Sequence, residues 1–219
     1  GPVGHHPFLG AGHGLPPGRD RAARGVGDVV RASVVQPGVD LDRFRPTSDR
    51  GLDDTAPVRV AAMVRPSTLR RNPLLTLRVL RELYDALPGR VEVACFGATL
   101  EEYLSLGVPL NGLTLYGELA PQEVSIVLGG TDVFLDLSEW QAMGLTALEA
   151  MASAAAVVAP RNGGATDFCQ NEVNALLVDT ADFAACVTAG RRLVEDHALR
   201  LRLRHEGLRT AYRFPPTVA

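Results

Sequence analysis

Residues 132–160 read DVFLDLSEWQAMGLTALEAMASAAAVVAP, and their pattern is the most informative about the fold. It begins with an apolar run, Asp132–Asp136, that is typical of a buried strand. A loop of small and polar residues leads into a helix predicted over Leu145–Ala154, and a second apolar strand is predicted over Ala155–Ala159. Strands that are apolar throughout and separated by a helix indicate a parallel sheet covered on both faces.

The same alternation continues along the chain from Val29 onwards. Further strands are predicted at Val58–Val64, Val91–Phe96, Leu113–Tyr116 and Ala175–Val178, after an extended piece at Ala32–Val35. Further helices are predicted at Pro73–Leu87, Leu100–Ser105, Pro121–Leu128, Thr166–Gln170, Asp182–Asp196 and Ala198–Tyr212. The predicted fold class is therefore α/β, a Rossmann-like parallel sheet with helices on both faces. Its ligand crevice would lie beyond the carboxyl ends of the strands.

The start of this alternation predicts the domain organisation. Residues 1–28 hold many Gly, Pro and His without periodicity, and they are predicted to be a flexible leader or an expression remnant. Residues 29–219 are predicted to form one domain. Its helix at Pro73–Leu87 carries apolar residues at helical spacing, which predicts one buried stripe: Leu74, Leu77, Leu80, Leu83, Tyr84 and Leu87.

The composition limits which ligands the chain would bind. A net charge of −3 makes no case for nucleic acid as a partner. All 22 basic residues are arginine, so a phosphate would have to be held by arginine, by a backbone amide or by a helix N-terminus. Cys95, Cys169 and Cys186 lack metal-type spacing and indicate buried thiols of a reduced, cytoplasmic protein. No run approaches the ~18 apolar residues of a membrane helix.

Three arginines follow the strand predicted at Val58–Val64. Arg65, Arg70 and Arg71 lie close together in sequence, after the carboxyl end of that strand and before the next helix. Guanidinium groups donate in a planar fork that suits phosphate oxygens. Taken alone, the segment is equally compatible with a solvated arginine loop.

The loop after Asp132–Asp136 is a second candidate. Gly144 would let the backbone approach a ligand closely, and the helix that begins there would point its free amides at an anion. Glu149 falls about one turn into that helix. On the residues alone, Glu149 would more often be an ordinary exposed carboxylate and Trp140 a filler of the core. Gly163-Gly164, after the next strand, indicates a turn first and an anion site only second.

These residues resemble the donor-binding segment of the family-4 retaining glycosyltransferases. That family reads roughly D-V-F-V-x-P-S-x-x-E-G-F-G-L-P-x-L-E-A-M-A-x-G-x-P-V-V-A, followed by G-G and an acidic residue. The present chain follows this pattern without a gap from Asp132 to Asp167. Upstream, residues 36–46 read QPGVDLDRFRP and resemble the segment that begins the family's C-terminal half.

The resemblance implies a GT-B fold, in which two Rossmann-like domains face each other across a cleft and this chain supplies the C-terminal one. The family's Gly-Arg…Lys pair, which holds the donor diphosphate, falls on Arg65 with either Arg70 or Arg71, and the spacing to Asn72 leaves that choice open. The implied amide cradle for the phosphates or the sugar is Met143, Gly144, Leu145 and Thr146. The implied ribose ligand is Glu149.

The chain departs from the family pattern at the position beside the transferred sugar. The family's first motif Glu, the implied catalytic position, falls on Gln141, which keeps the hydrogen-bonding shape and loses the charge. Gln would suffice for binding sugar hydroxyls but not for stabilising an oxocarbenium-like transition state by charge. Glu139 is expected beside the site rather than in it. Ala142 and Met143 replace Gly-Phe and alter the pocket wall.

The implied function is donor binding in a retaining glycosyltransferase that moves a sugar from a nucleotide diphosphate sugar to an unidentified acceptor, with no metal or other cofactor. The implied partners are the nucleotide sugar and a missing N-terminal domain of the same enzyme, with room for a peripheral membrane contact through that domain. The fragment alone is predicted to be inactive because it lacks the acceptor site. Gln141 also supports an alternative, a non-catalytic nucleotide-sugar-binding module, and a sugar epimerase on the same fold is a third reading.

Overall fold

A computed structural model describes residues 38–47 and 55–216 of the chain. Both the predicted leader, residues 1–28, and the predicted extended piece at Ala32–Val35 lie outside these residues. In the described part, the six strands are β1 Val58–Met63, β2 Val91–Phe96, β3 Thr114–Leu115, β4 Val133–Leu135, β5 Ala156–Pro160 and β6 Leu176–Val178. They form one sheet in the order β3-β2-β1-β4-β5-β6, and every neighbouring pair is parallel. The predicted α/β class is confirmed.

Within residues 38–47 and 55–216, six α-helices connect and cover the strands. They are α1 Pro73–Ala86, α2 Leu100–Ser105, α3 Pro121–Gly129, α4 Leu145–Ala152, α5 Phe183–Glu195 and α6 His197–Ala211. Single turns of 3-10 helix lie at Leu69–Arg71, which was not predicted, and at Gly164–Asp167. The predicted helix Thr166–Gln170 is wrong. The helix does not continue to Gln170, because the Asn174 side chain accepts from Gln170 N and donates to the Phe168 carbonyl in place of helical hydrogen bonds.

The sheet separates two apolar cores. Alternate residues of β1 and β4, such as Val60 and Leu135, face the layer of α1 and α5. The intervening residues, such as Ala61 and Phe134, face α4 and the end of α6. This alternation follows from the two-residue period of a strand. Burial on both faces explains why the strands are apolar throughout.

The predicted stripe on α1 is wrong at its first member. Leu77, Leu80, Leu83 and Leu87 are buried, whereas Leu74 is 45% exposed. Each step of three residues turns a helix back by ~60°, so a row spaced by three drifts off the buried face within a few steps. Pro73 and Thr76 occupy the buried side of the first turn instead, and Tyr84 is half-buried.

The end of the chain holds residues 38–47 in place. The Val39 backbone N–H donates to the Phe214 carbonyl at 2.8 Å, and a side chain at Gly38 would lie only 2.0 Å from the Pro215 carbonyl oxygen. Val39 and Phe44 are buried in the core of the α4 face. Residues 38–47 are therefore packed against the domain rather than extended away from it.

Leu77→Ala tests the packing of the α1 layer. Because Leu77 is fully buried, the change should lower the free energy of unfolding by about 2–5 kcal/mol in urea titrations. Leu74→Ala on the same helix is the matched control and should cost less than about 1 kcal/mol. Equal losses in the two variants would contradict the described packing.

Candidate functional site

The connections leaving β1 and β4 run in opposite directions, so the candidate ligand crevice of this fold lies between them. These strands are neighbours in the sheet, but the strand order grows away from β1 on one side and from β4 on the other. Ligands of open α/β sheets bind outside the carboxyl ends at such a reversal. The Glu139 backbone N–H donates to the Arg70 carbonyl at 3.0 Å, which ties the two loops together. The crevice is therefore at the predicted edge of the sheet.

Gly163 and Gly164 let the loop after β5 pack directly on the loop after β4. The Gly164 N–H donates to the Gln141 carbonyl at 2.9 Å, and a Cβ at Gly164 would lie 1.8 Å from the Ala142 carbonyl oxygen. Gly163 has a φ of 92°, in the region that favours glycine. The two glycines thus allow the backbone of the loop after β5 to approach the backbone of the loop after β4 closely, and this contact supports the loop that carries Gln141.

The first turn of α4 presents open amides to the crevice. Gly144, with a φ of 81°, precedes the helix, and no side chain caps this end. The N–H groups of Leu145 and Thr146 lie in the first turn, where an α-helix supplies no internal acceptor. Thr146 is buried, while Leu145 is 39% exposed and Met143 is half-buried. The predicted amide cradle thus coincides with an uncapped helix N-terminus, which attracts anions.

The three predicted arginines occupy different surroundings. Arg71 is half-buried, and its Nη1 donates to Gln141 Oε1 at 3.4 Å. Arg70 is exposed and contributes its backbone carbonyl to the contact with Glu139. Arg65 is also exposed, and its stem lies beside Gly97 at the end of β2. The structure therefore brings the Arg71 guanidinium to Gln141, whereas Arg70, the alternative that the sequence left open, meets this loop through its backbone carbonyl.

Glu149 is a half-buried carboxyl group facing two arginines. Burial raises the pKa of Glu149 to about 7, while the charges of Arg43 and Arg71 oppose that shift. The interpretation of Glu149 as an ordinary exposed helix carboxylate is therefore wrong. A carboxyl group whose pKa is displaced this far, in a crevice with specific charged neighbours, is typical of a functional site.

Arg43 is a site residue that the sequence reasoning missed. It lies in residues 38–47, and its Nε is 3.6 Å from Asp40 Oδ2. Asp40 also accepts from the Asp42 and Arg43 backbone N–H groups, which fixes the turn. The packing of this segment then places the guanidinium of Arg43 near Glu149, a long-range contact that no local pattern reveals.

Asp136 is the second missed residue, and it holds Gln141. Gln141 is buried, and its Nε2 donates to Asp136 Oδ2 at 2.6 Å. Asp136 Oδ1 accepts from the Ser138 hydroxyl at 2.7 Å. The only available sequence signal was a carboxylate at the end of an otherwise apolar strand.

The remaining residues of the loop after β4 lie at its rim. Trp140 is 55% exposed, so its interpretation as core filler is wrong, because Gln141 takes the buried position instead. Glu139 is exposed beside the site, as expected. Cys95, Cys169 and Cys186 are buried free thiols, as predicted.

Residues 38–47 and 55–216 lack two features that would suggest other functions. They hold no helix with the length and apolarity needed to cross a membrane. They also hold no group of three or more His, Cys, Asp or Glu side chains that could bind a metal ion.

Comparison with solved structures defines the class of fold. The chain is similar to the C-terminal domain of a glycosyl transferase group 1 family protein from Francisella tularensis, with a TM-score of 0.68 and 21% identity over 80% of this chain and 97% of that one. It is also similar to HepE from Anabaena, solved with UDP and glucose, with a TM-score of 0.64 and 19% identity over 81% of this chain and 52% of that one. The fold is that of a Rossmann-like domain of a GT-B glycosyltransferase.

The sequence comparison then gives the family. The chain belongs to the glycosyl transferases group 1 family, whose model matches residues 98–210. It is 32% identical over 186 residues to the D-inositol 3-phosphate glycosyltransferase of Corynebacterium jeikeium, a match that covers 77% of this chain and 44% of that protein. The chain spans about half the length of the curated relatives it matches.

Glu149→Gln should alter how stability depends on pH. With a pKa of about 7 in the folded chain and about 4.3 when unfolded, Glu149 binds more proton in the folded state between these values. The free energy of unfolding of wild type should therefore fall by about 1–3 kcal/mol as the pH rises through this window. That of Glu149→Gln should not show this fall in urea titrations at pH 5 and pH 8. Glu118→Gln removes an exposed carboxylate as control; parallel profiles for wild type and Glu149→Gln would contradict the buried site.

Proposed function

We propose that this chain is the donor-binding, C-terminal domain of a retaining glycosyltransferase. The intact enzyme would transfer a sugar from a nucleotide diphosphate sugar to an acceptor held by its N-terminal domain. One observation carries the proposal: Glu149 lies half-buried between Arg43 and Arg71, beside an uncapped helix N-terminus at the reversal of the sheet. A ligand with both hydroxyl groups and an anionic portion is complementary to such a site.

The diphosphate would lie between the open amides of α4 and the arginines. The amides of Leu145 and Thr146 offer hydrogen bonds and the positive end of the helix dipole. Arg71 would add a charged fork from the loop after β1, and Arg65, exposed on the same loop, would close over the outer phosphate. Arginines and amides together meet the charge of the diphosphate, so we propose that the site needs no metal ion.

Glu149 would hold the ribose of the nucleotide. A carboxylate accepts from two neighbouring hydroxyls, and such hydrogen bonds favour its charged form. Arg43 and Arg71 would supply part of the counter-charge. Nucleotide binding should therefore release a proton from Glu149 near neutral pH, because the bound ribose offsets the loss of solvation.

Gln141 would face the transferred sugar. It is buried at the back of the loop after β4, and its carbonyl oxygen points towards Arg71. From there the amide can hydrogen-bond sugar hydroxyls, but it cannot supply a negative charge. Catalysis would then rely on the arginines and amides that stabilise the departing diphosphate.

The neutral side chain of Gln141 also supports a second candidate, a nucleotide-sugar-binding module that does not transfer sugar. The two functions share the donor site and differ only in turnover. For either one we propose a cytoplasmic protein, consistent with three buried free thiols.

Calorimetric titration with UDP, GDP and dTDP tests donor binding, and UDP is the ligand present in the Anabaena relative. Arg71→Ala should weaken the tightest of the three by about 1.5–3 kcal/mol, since it removes charged hydrogen bonds, and Arg65→Ala should act in the same direction. Arg70→Ala removes the other arginine of the candidate pair and shows which of the two holds the phosphate. Failure of all three nucleotides to bind the folded chain would overturn the proposal. Equal losses of affinity in Arg70→Ala and Arg71→Ala would contradict the assignment of the diphosphate contact to Arg71 alone.

Turnover separates the two candidates. The intact enzyme, with both domains, should transfer sugar from a donor panel, and NMR of the product should show a retained anomeric configuration. The 219-residue chain alone should bind the donor without transferring it, because in this proposal the acceptor site would lie on the other domain. Sugar transfer by the chain alone would overturn the proposal that donor and acceptor sites lie on different domains. Donor binding without turnover by the intact protein would favour the binding module.

A further inference from the structure

Asp136 is a buried carboxylate next to the proposed donor site. Its side chain follows β4 directly and is 5% exposed. One oxygen, Oδ1, accepts from the Ser138 hydroxyl at 2.7 Å and from the Ser138 backbone N–H at 3.3 Å. The other, Oδ2, accepts from Gln141 Nε2 at 2.6 Å. Both oxygens are therefore engaged, and the shortest contact is to the amide of the site.

The chemistry of the partners fixes which way Gln141 faces. An ionised carboxylate only accepts hydrogen bonds, so Asp136 must meet the nitrogen end of the amide. A guanidinium only donates, so Arg71 must meet the oxygen end. Gln141 thus lies between an acceptor and a donor in the one orientation that satisfies both, and a reversed amide would face a mismatch at each end.

We propose that Asp136 is a positioning residue of the donor site, which holds the Gln141 carbonyl towards Arg71 and makes a neutral side chain at position 141 obligatory. The part that concerns the donor rests on the proposed function. The pairing of Asp136 with Gln141 is a property of the folded chain alone. In this arrangement the negative charge is carried by Asp136, which contacts Gln141, and Gln141 is the residue that would touch the sugar.

A glutamate at position 141 would conflict with Asp136. Its carboxylate would lie at the 2.6 Å contact now made by the amide nitrogen, so two like charges would share one buried site. Such a pair keeps one proton until the pH rises well above the ordinary range of a carboxyl group. Other titratable and charged groups near this pair include Arg71, which donates to Gln141, Cys169, which lies near Asp136, and Glu149, which lies near Arg71.

Exchange of the acid and the amide tests the pairing without any ligand. Four proteins are compared by thermal unfolding at pH 5 and pH 8: wild type, Asp136→Asn, Gln141→Glu and the double variant. Gln141→Glu should have a Tm at pH 8 that is about 5 °C or more below that of wild type, with a smaller gap at pH 5, where the shared proton is present. The double variant, with the acid and the amide exchanged, should recover most of the loss. Glu139→Gln, an exposed carboxylate of the same loop, should match wild type at both pH values.

A second measurement tests the positioning role. With the tightest of UDP, GDP and dTDP as probe, Asp136→Asn should weaken binding by about 3- to 10-fold, because the amide is then free to turn away from Arg71. In an Arg71→Ala background the same change should have no further effect, and the double variant Asp136→Asn/Gln141→Glu should bind within about 2-fold of wild type. A purely structural role would not give this dependence on Arg71.

Each of the two measurements can overturn its own part of the proposal. If Gln141→Glu is as stable as wild type at pH 8, or if the exchange does not rescue it, the pairing is overturned. If Asp136→Asn weakens nucleotide binding equally with and without Arg71, or leaves it unchanged, the positioning role is overturned. If wild type binds none of the three nucleotides, the proposed function falls, and the unfolding data still decide the pairing.

Discussion

The reversal of strand order between β1 and β4 is the constraint on which the rest of this structure depends. All six strands are parallel, so every connection that leaves a carboxyl end emerges at one edge of the sheet. At the reversal the loops leave in opposite directions and a gap opens. The Glu139 N–H donates to the Arg70 carbonyl and joins the loops after β4 and β1, and the Gly164 N–H donates to the Gln141 carbonyl and joins the loops after β5 and β4. Backbone atoms make both contacts, so the shape of the crevice tolerates variation of its side chains.

The crevice keeps its charges in balance although it buries carboxyl groups. Removing a carboxylate from water is costly unless donors or cations compensate it. Asp136 is compensated by three hydrogen bonds, and Glu149 by the charges of Arg43 and Arg71. The difference between them is informative. Burial raises the pKa of Glu149 by more than the charges of Arg43 and Arg71 lower it, so its charge is only partly compensated.

This imbalance couples the two halves of the proposed ligand. A diphosphate that draws on Arg71 would weaken the support which that arginine gives Glu149, and would raise the cost of the Glu149 charge. Ribose hydroxyls donating to the same carboxylate would offset this cost. Phosphate and ribose are therefore expected to act in opposite directions on the charged form of Glu149. A ligand with only one of the two groups leaves part of the site unsatisfied.

The sequence predicted the fold closely because the evidence for it is local. Strands and helices followed from periodicity, and the observed β2 and α2 have the predicted bounds. Prediction failed where tertiary contacts override the local pattern. Asn174 intercepts the helix predicted at Thr166–Gln170, and the drift of a three-residue spacing leaves Leu74 in solvent.

The residues of the candidate site also differ in whether local sequence or tertiary packing places them there. Arg71, Gln141 and Glu149 belong to one continuous motif or to the loop facing it, so they were within reach of the sequence. Arg43 was not, because its approach to Glu149 depends on how residues 38–47 pack against the end of the chain. No spacing rule links positions so far apart in sequence.

Gln141 alone would look like the loss of a charge from the site. With Asp136 included, the departure at Gln141 becomes part of one coupled arrangement, since the amide at 141 is what a carboxylate at 136 requires. The charge has moved behind the position that would touch the sugar and is not absent from the crevice. It acts there through the orientation of the Gln141 carbonyl rather than by direct contact. A neutral residue at this position is therefore weak evidence against turnover, because the same residue is what the neighbouring carboxylate demands whether or not the enzyme transfers sugar.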